Sequence, residues 1–185
     1  MDILLWLSQH RTWALTTVAR WAMNAGMNNA VIAVAALAGL VVVVAKRWWW
    51  QGITIVVAVV SAQATARGLK HLIQRERPPA DLAVVQVGAF SMPSTVAAMT
   101  AAVAVTAYLT LPWPAEYRRW VAGLLAIAIV VIGIAMIYLG AHWTTDVLVG
   151  WGVGGGVAGV VVGLVRVGQR RSWTRPMMTP AGPRT

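Results

Sequence analysis

The chain has 185 residues, 59% of them hydrophobic and 11% charged, with 15 Lys plus Arg against 5 Asp plus Glu and a formal charge of +10. So apolar a composition excludes an ordinary soluble domain, and it assigns the positive charge to membrane topology rather than to nucleic-acid binding. With 0 Cys the chain forms no disulfide, thiolate metal site or cysteine nucleophile, and its 3 His, 5 acids and 15 bases are nearly the whole inventory for chemistry.

Residues 3 to 24 carry Leu4, Leu5, Trp6, Trp13, Leu15, Val18 and Trp21, but Gln9, His10, Arg11 and Arg20 interrupt any clean span. The pattern predicts an N-terminal amphipathic helix lying in the membrane interface. A cleaved signal peptide is not expected, because the start is acidic and Arg11 breaks the apolar stretch.

A spanning helix needs about 20 mostly apolar residues. Five runs of that order follow: Ala30 to Ala45, Gly52 to Gly68, Val96 to Trp113, Trp120 to Leu139, and Val147 to Val165. The first two are short and must borrow flanking residues. Trp48, Trp49, Trp50, Trp113, Trp120 and Trp143 fall at run ends, where an amphipathic ring anchors at headgroup level. In the last run Gly150, Gly152, Gly154, Gly155, Gly156, Gly159 and Gly163 permit close helix contact, read as packing inside the bundle, with a homo-oligomer face as the alternative.

The fold class expected is all-α: a polytopic membrane bundle of about five transmembrane helices plus the interfacial helix, forming one membrane-embedded domain over residues 1–168. Residues 169–185, rich in Arg, Pro and Gly, are expected to be a basic, disordered cytoplasmic tail, and no second soluble domain is expected. If the runs alternate direction, one face collects Lys46, Arg47, Arg118, Arg119, Arg166, Arg170, Arg171, Arg175 and Arg184, which marks it as cytoplasmic. The other face is then extracytoplasmic, and three polar clusters converge on it.

In the first cluster, Arg67, Lys70 and His71 share a helix face, while Arg75 to Pro79 leaves the helix because a residue before proline avoids helical backbone angles. Such a basic segment is either an anion site or an unselective headgroup patch. The second cluster, Phe90-Ser91-Met92-Pro93-Ser94-Thr95, reads as a helix start, whose free N–H groups suit an anion, although Ser and Thr before a helix are usually only caps. In the third, His142 and Asp146 are four apart at the mouth of the last run, so the carboxylate can hold one ring nitrogen and leave the other outward as nucleophile or base.

Together the clusters resemble the phosphatidic acid phosphatase type 2 superfamily of membrane lipid phosphatases. Its first motif, Lys, six residues, Arg-Pro, is matched by Lys70 and Arg77-Pro78; its second, Pro-Ser-Gly-His, meets Pro93-Ser94-Thr95-Val96. Its third, Ser-Arg, five residues, His, three residues, Asp, meets Ala135-Met136, then His142 and Asp146 in register, over a resemblance covering roughly residues 20 to 165. The resemblance implies His142 as the nucleophile that forms a phospho-histidine, Asp146 as its partner, and Lys70, Arg77, Ser94 and the Thr95 amide as the phosphate cradle.

The family's acid position is Val96 here and its second arginine is Met136, neither of which can do the original job. Arg67, His71 and Arg75 are the candidates to compensate. The losses suit a diphosphate substrate better than a monoester, since a phosphate leaving group, with a pKa of about 6, departs without the proton an alkoxide demands. No metal or other cofactor is expected, because the acids are too few and scattered to form a carboxylate cage. The expected partner is a lipid phosphate or polyprenyl diphosphate in a bacterial-type plasma membrane, with the site outward and the C-terminus cytoplasmic; the alternative is a catalytically silent lipid-phosphate binder, carrier or scaffold.

Overall fold

The structure is a computed structural model, and it describes residues 3–85 and 87–173. The described residues form seven helices: α1 (Ile3–Gln9), α2 (Trp13–Met27), α3 (Asn29–Lys46), α4 (Trp49–Ile73), α5 (Thr95–Thr110), α6 (Arg118–Tyr138) and α7 (Thr144–Trp173). The five apolar runs correspond to α3 through α7. Three of them, α4, α6 and α7, are long and apolar enough to cross a membrane; α3 and α5 are shorter apolar helices.

Local chemistry sets several of the boundaries. Asn28 caps α3 by accepting from the Ala30 and Val31 amides at 2.9 and 3.2 Å, and α3 closes on Arg47 in the left-handed region. Ser94 caps α5, its Oγ accepting from the Ala97 amide at 3.3 Å. The N-terminal amphipathic stretch is two helices rather than one: the chain breaks at His10 to Thr12, where Thr12 caps α2 and Arg11 turns away to donate to the Tyr138 and Leu82 carbonyls at 2.9 and 2.7 Å. The side carrying Leu4, Ala19 and Met23 is buried in the cluster that contains the end of α6, while Trp13 and Trp21 face outward. At the other terminus α7 continues through Gln169 to Trp173, so the expected boundary at residue 168 falls inside a helix; Arg175 and Arg184 lie outside the described residues.

The tightest packing is among α4, α5 and α7. Thr54, Ala58, Ala62 and Ala66 make a buried stripe of four-residue spacing on α4, and Ala58 and Ala62 meet Ala102 of α5 and Ala158 of α7. Where lipid replaces water, van der Waals contact between close backbones drives association, and small side chains permit it. The glycines of α7 divide by direction. A Cβ on Gly150 would lie 2.6 Å from the Ser94 carbonyl oxygen, and one on Gly154 would collide with the Ala98 carbonyl, so these two let α7 cross α5. Gly152, Gly156, Gly159 and Gly163 meet nothing within 4 Å.

Candidate active site

The alternating chain directions bring the C-terminal ends of α4 and α6 and the N-terminal ends of α5 and α7 to one end of the bundle. The loop after α6 is shaped by Gly140, whose φ of 71° is in the left-handed region and whose missing Cβ leaves room for the Leu82 carbonyl and Ala83. Val84 donates to the Leu139 carbonyl at 3.0 Å, and Arg11 and Arg20 hold the Leu82 and Val84 carbonyls, so the segment between α4 and α5 is tied across this loop. Asp146 sits in the first turn of α7, and its carbonyl accepts from the Ser94 amide at 2.9 Å, locking the starts of α5 and α7 together.

A cavity of about 130 Å³ opens at this end, lined by Lys70, Arg77, Thr95, His142, Val96 and Met136 together with Met23, Val87 and Gly88. Four of the sequence-derived site residues therefore share one wall space: Lys70, Arg77, Thr95 and His142. Lys70 makes no hydrogen bond or ion pair among the described residues, which leaves its ammonium available to an anion. Arg77 points Nε at the Gly88 carbonyl and Nη1 at the Ala141 carbonyl. Burial lowers its pKa and Asp146 opposes that, but a guanidinium this basic stays charged.

His142 is buried, with Nδ1 3.4 Å from Oδ2 of Asp146. That contact is too long and poorly aligned to satisfy Nδ1 as a hydrogen bond, a common state of catalytic pairs that tighten around substrate. Nε2 has no hydrogen-bond partner among the described residues. Burial lowers the pKa of His142, Asp146 acts against this, and the charges of Arg77 and Lys70 add to the lowering. Its surroundings thus favour the neutral ring.

Asp146 is fully buried, and both its oxygens are engaged: Oδ2 accepts from the Trp143 amide at 2.8 Å, and Oδ1 from Arg75 Nη1 at 3.0 Å. Arg75 is thus spent on the carboxylate, and it also donates to Thr145 Oγ1, so it is not on the cavity wall. Ser94 differs from expectation too. Its buried hydroxyl caps α5 and donates to Met136 Sδ at 3.4 Å, and it does not line the cavity. Arg67 and His71 are exposed and away from it; His71 meets Phe90 edge-on with ring centres 6.2 Å apart. No group of three or more His, Cys, Asp or Glu side chains suited to a metal occurs among the described residues.

Sequence reasoning missed Met23, which reaches the cavity from α2, and the Trp143 amide, which holds Asp146. The two-residue gap from Trp143 to Asp146 was a usable signal, because a carboxylate at the third position of a helix reaches back to the amide of the residue just before it. For Met23 no local signal exists, since nothing in its neighbourhood pairs α2 with α6.

Known proteins resemble this chain in sequence and in fold. An undecaprenyl-diphosphatase of Sulfolobus acidocaldarius is 32% identical over 109 residues, 56% of this chain and 50% of that protein, so the chain spans about half the length of this curated relative. The crystal structure of a transmembrane PAP2-type phosphatidylglycerolphosphate phosphatase from Bacillus subtilis matches with a TM-score of 0.76 at 25% identity, covering 95% of this chain and 85% of that one. Aquifex aeolicus LpxE shares the fold, with a TM-score of 0.70 at 19% identity over 88% of this chain and 99% of that one. The PAP2 superfamily profile matches residues 51–170, from the start of α4 nearly to the end of α7. Its apolar helices and membrane phosphatase relatives make the protein an integral membrane protein, and the chain belongs to the PAP2 superfamily.

Proposed function

We propose that the protein hydrolyses a lipid phosphate, with polyprenyl or other lipid diphosphates preferred, through a phospho-histidine on His142. The observation that carries this reading is that His142, backed by Asp146, opens on the same cavity as Lys70 and Arg77. The Nε2 lone pair attacks phosphorus while the bond to the leaving oxygen breaks, that oxygen keeping the electron pair. Asp146 steadies the positive charge that develops on the imidazole, and Lys70 and Arg77 balance the phosphoryl oxygens. Water then attacks the phospho-histidine, releases inorganic phosphate and restores neutral His142.

Val96 and Met136 line the cavity where the family carries an acid and a second cation. A positioned general acid contributes about 10²–10⁴-fold, so a leaving group that needs no proton loses least. The chemistry therefore favours a diphosphate over a phosphomonoester such as phosphatidic acid. Phosphate release from a lipid panel, with His142→Ala as control, is expected to be faster for diphosphates and lost in the variant; equal rates on both substrate types would overturn the preference. The same apolar wall favours a second reading, a lipid-phosphate binder without turnover. Saturable binding with no release, abolished by Lys70→Ala and Arg77→Ala, would establish it instead.

The site end faces outward in this proposal, because Lys46, Arg47, Arg118, Arg119, Arg166 and Arg170 gather toward the opposite end. The chain has 0 Cys, so single cysteines introduced at Ala89 and at Ala115 report sidedness directly. A membrane-impermeant thiol reagent added to intact cells should label the first and spare the second.

A further inference from the structure

We infer that Arg75 is a positioning residue for the nucleophile, acting through Asp146 rather than on the phosphate. The inference rests on the phosphatase reading above. Arg75 lies where α4 has ended, and Ser91 fixes its backbone: the Ser91 amide and hydroxyl both donate to the Arg75 carbonyl, at 2.9 and 3.1 Å. Its guanidinium reaches across to α7, where Nη1 donates to Asp146 Oδ1 at 3.0 Å and to Thr145 Oγ1, and it lies 5.5 Å from the centre of the Trp143 ring. Trp143 is itself tied back, its Nε1 donating to the Glu76 carbonyl at 3.1 Å and its amide holding Oδ2 of Asp146 at 2.8 Å. With one oxygen held by Arg75 and the other by Trp143, the carboxylate cannot rotate, and Oδ2 is left facing His142 Nδ1.

Two consequences follow. Once the contact at Nδ1 tightens to a hydrogen bond around substrate, the carboxylate fixes which ring nitrogen carries the proton, which keeps Nε2 as the nucleophile. Arg75 also balances the negative charge behind His142, so that Asp146 orients the ring without holding it protonated. The charged groups around His142 are Lys70 from α4, Arg77 and Arg75 from the segment between α4 and α5, and Asp146 from α7. The side chains brought to the cavity by α2, α5 and α6 are Met23, Thr95, Val96 and Met136, none of them charged. Removing Arg75 leaves Asp146 acting alone from behind, which favours imidazolium.

The test uses the purified full chain in lipid nanodiscs, with farnesyl diphosphate as substrate. Arg75→Met is expected to lower kcat by about 10- to 100-fold with KM little changed, and to move the acid limb of the pH–rate profile up by about one pH unit. Arg75→Lys should return the limb toward its original position, because it restores the charge. In an Asp146→Asn background Arg75→Met should add little, since the path through the carboxylate is already cut. A KM increase at unchanged kcat, or equal losses in both backgrounds, would overturn the inference in favour of a phosphate contact or a simple clamp. Should His142→Ala retain full release, the nucleophile assignment falls, and the inference is then judged by NMR titration of the 3 histidines, with His142→Ala identifying its signal. An upward-shifted titration of His142 in Arg75→Met supports the role of Arg75, and an unchanged one ends it.

Discussion

The cavity has two unlike walls. One carries Lys70, Arg77 and His142, each at its motif position; the other is apolar, with Met23 from α2 and with Val96 and Met136 at the positions where the family resemblance implies an acid and a cation. The charged wall is held by a network that reaches far beyond it: Arg77 on the Gly88 and Ala141 carbonyls, Asp146 on Arg75 and the Trp143 amide. The apolar wall joins the main core, with Met23 and Met136 in the same buried cluster and Val96 packed against it. In the proposed function, phosphoryl recognition falls to the charged residues and leaving-group chemistry to the apolar ones, which sit on separate elements and carry no group that delivers a proton.

Substitutions can break this contrast from either side. The largest effect is expected for His142→Ala, which removes the proposed nucleophile and should cost at least about 10³-fold in phosphate release from a lipid diphosphate. Lys70→Ala or Arg77→Ala should cost about 10²–10³-fold each, by loss of one preorganised charge from the phosphoryl oxygens. A radiometric or malachite-green release assay resolves both, and retention of full activity in either would detach the charged wall from the chemistry. The apolar wall is tested by gain. Val96→His with Met136→Arg should raise turnover of a phosphomonoester by about 10²-fold and that of a diphosphate by less. No gain on the monoester would mean that the missing proton is not what limits the reaction.

Much of the fold was legible because its causes are local. The five apolar runs became α3 to α7, and Ser94 and Asn28 cap helices where hydroxyl or amide side chains precede an apolar stretch. The N-terminal segment was legible as amphipathic but not as two helices, since the break at Arg11 is settled by the carbonyls of Tyr138 and Leu82, far along the chain. Lys70, Arg77, Thr95 and His142, expected at one face from the clusters and the family resemblance, line one cavity. Arg75 and Ser94 do not. Arg75 is two residues from Arg77 in the chain, but the chain has left the helix there, and its side chain runs to α7 while that of Arg77 lines the cavity. Ser94 is adjacent to Thr95, but a cap residue turns its side chain back on the helix, and here toward Met136.

The sequence by itself determined that this is a helical membrane protein, where its apolar helices fall, and which few side chains are available to an anion, because the cost of placing a residue in lipid depends on composition over a short window. The tertiary structure alone decided which basic residue lines the cavity and which faces Asp146, that Met23 reaches the cavity, and that Gly150 and Gly154 are where α7 crosses the α5 backbone. Those outcomes depend on how each helix is rotated and how closely two backbones cross. Both are set by the summed packing of residues distant in the chain, and no local window contains them.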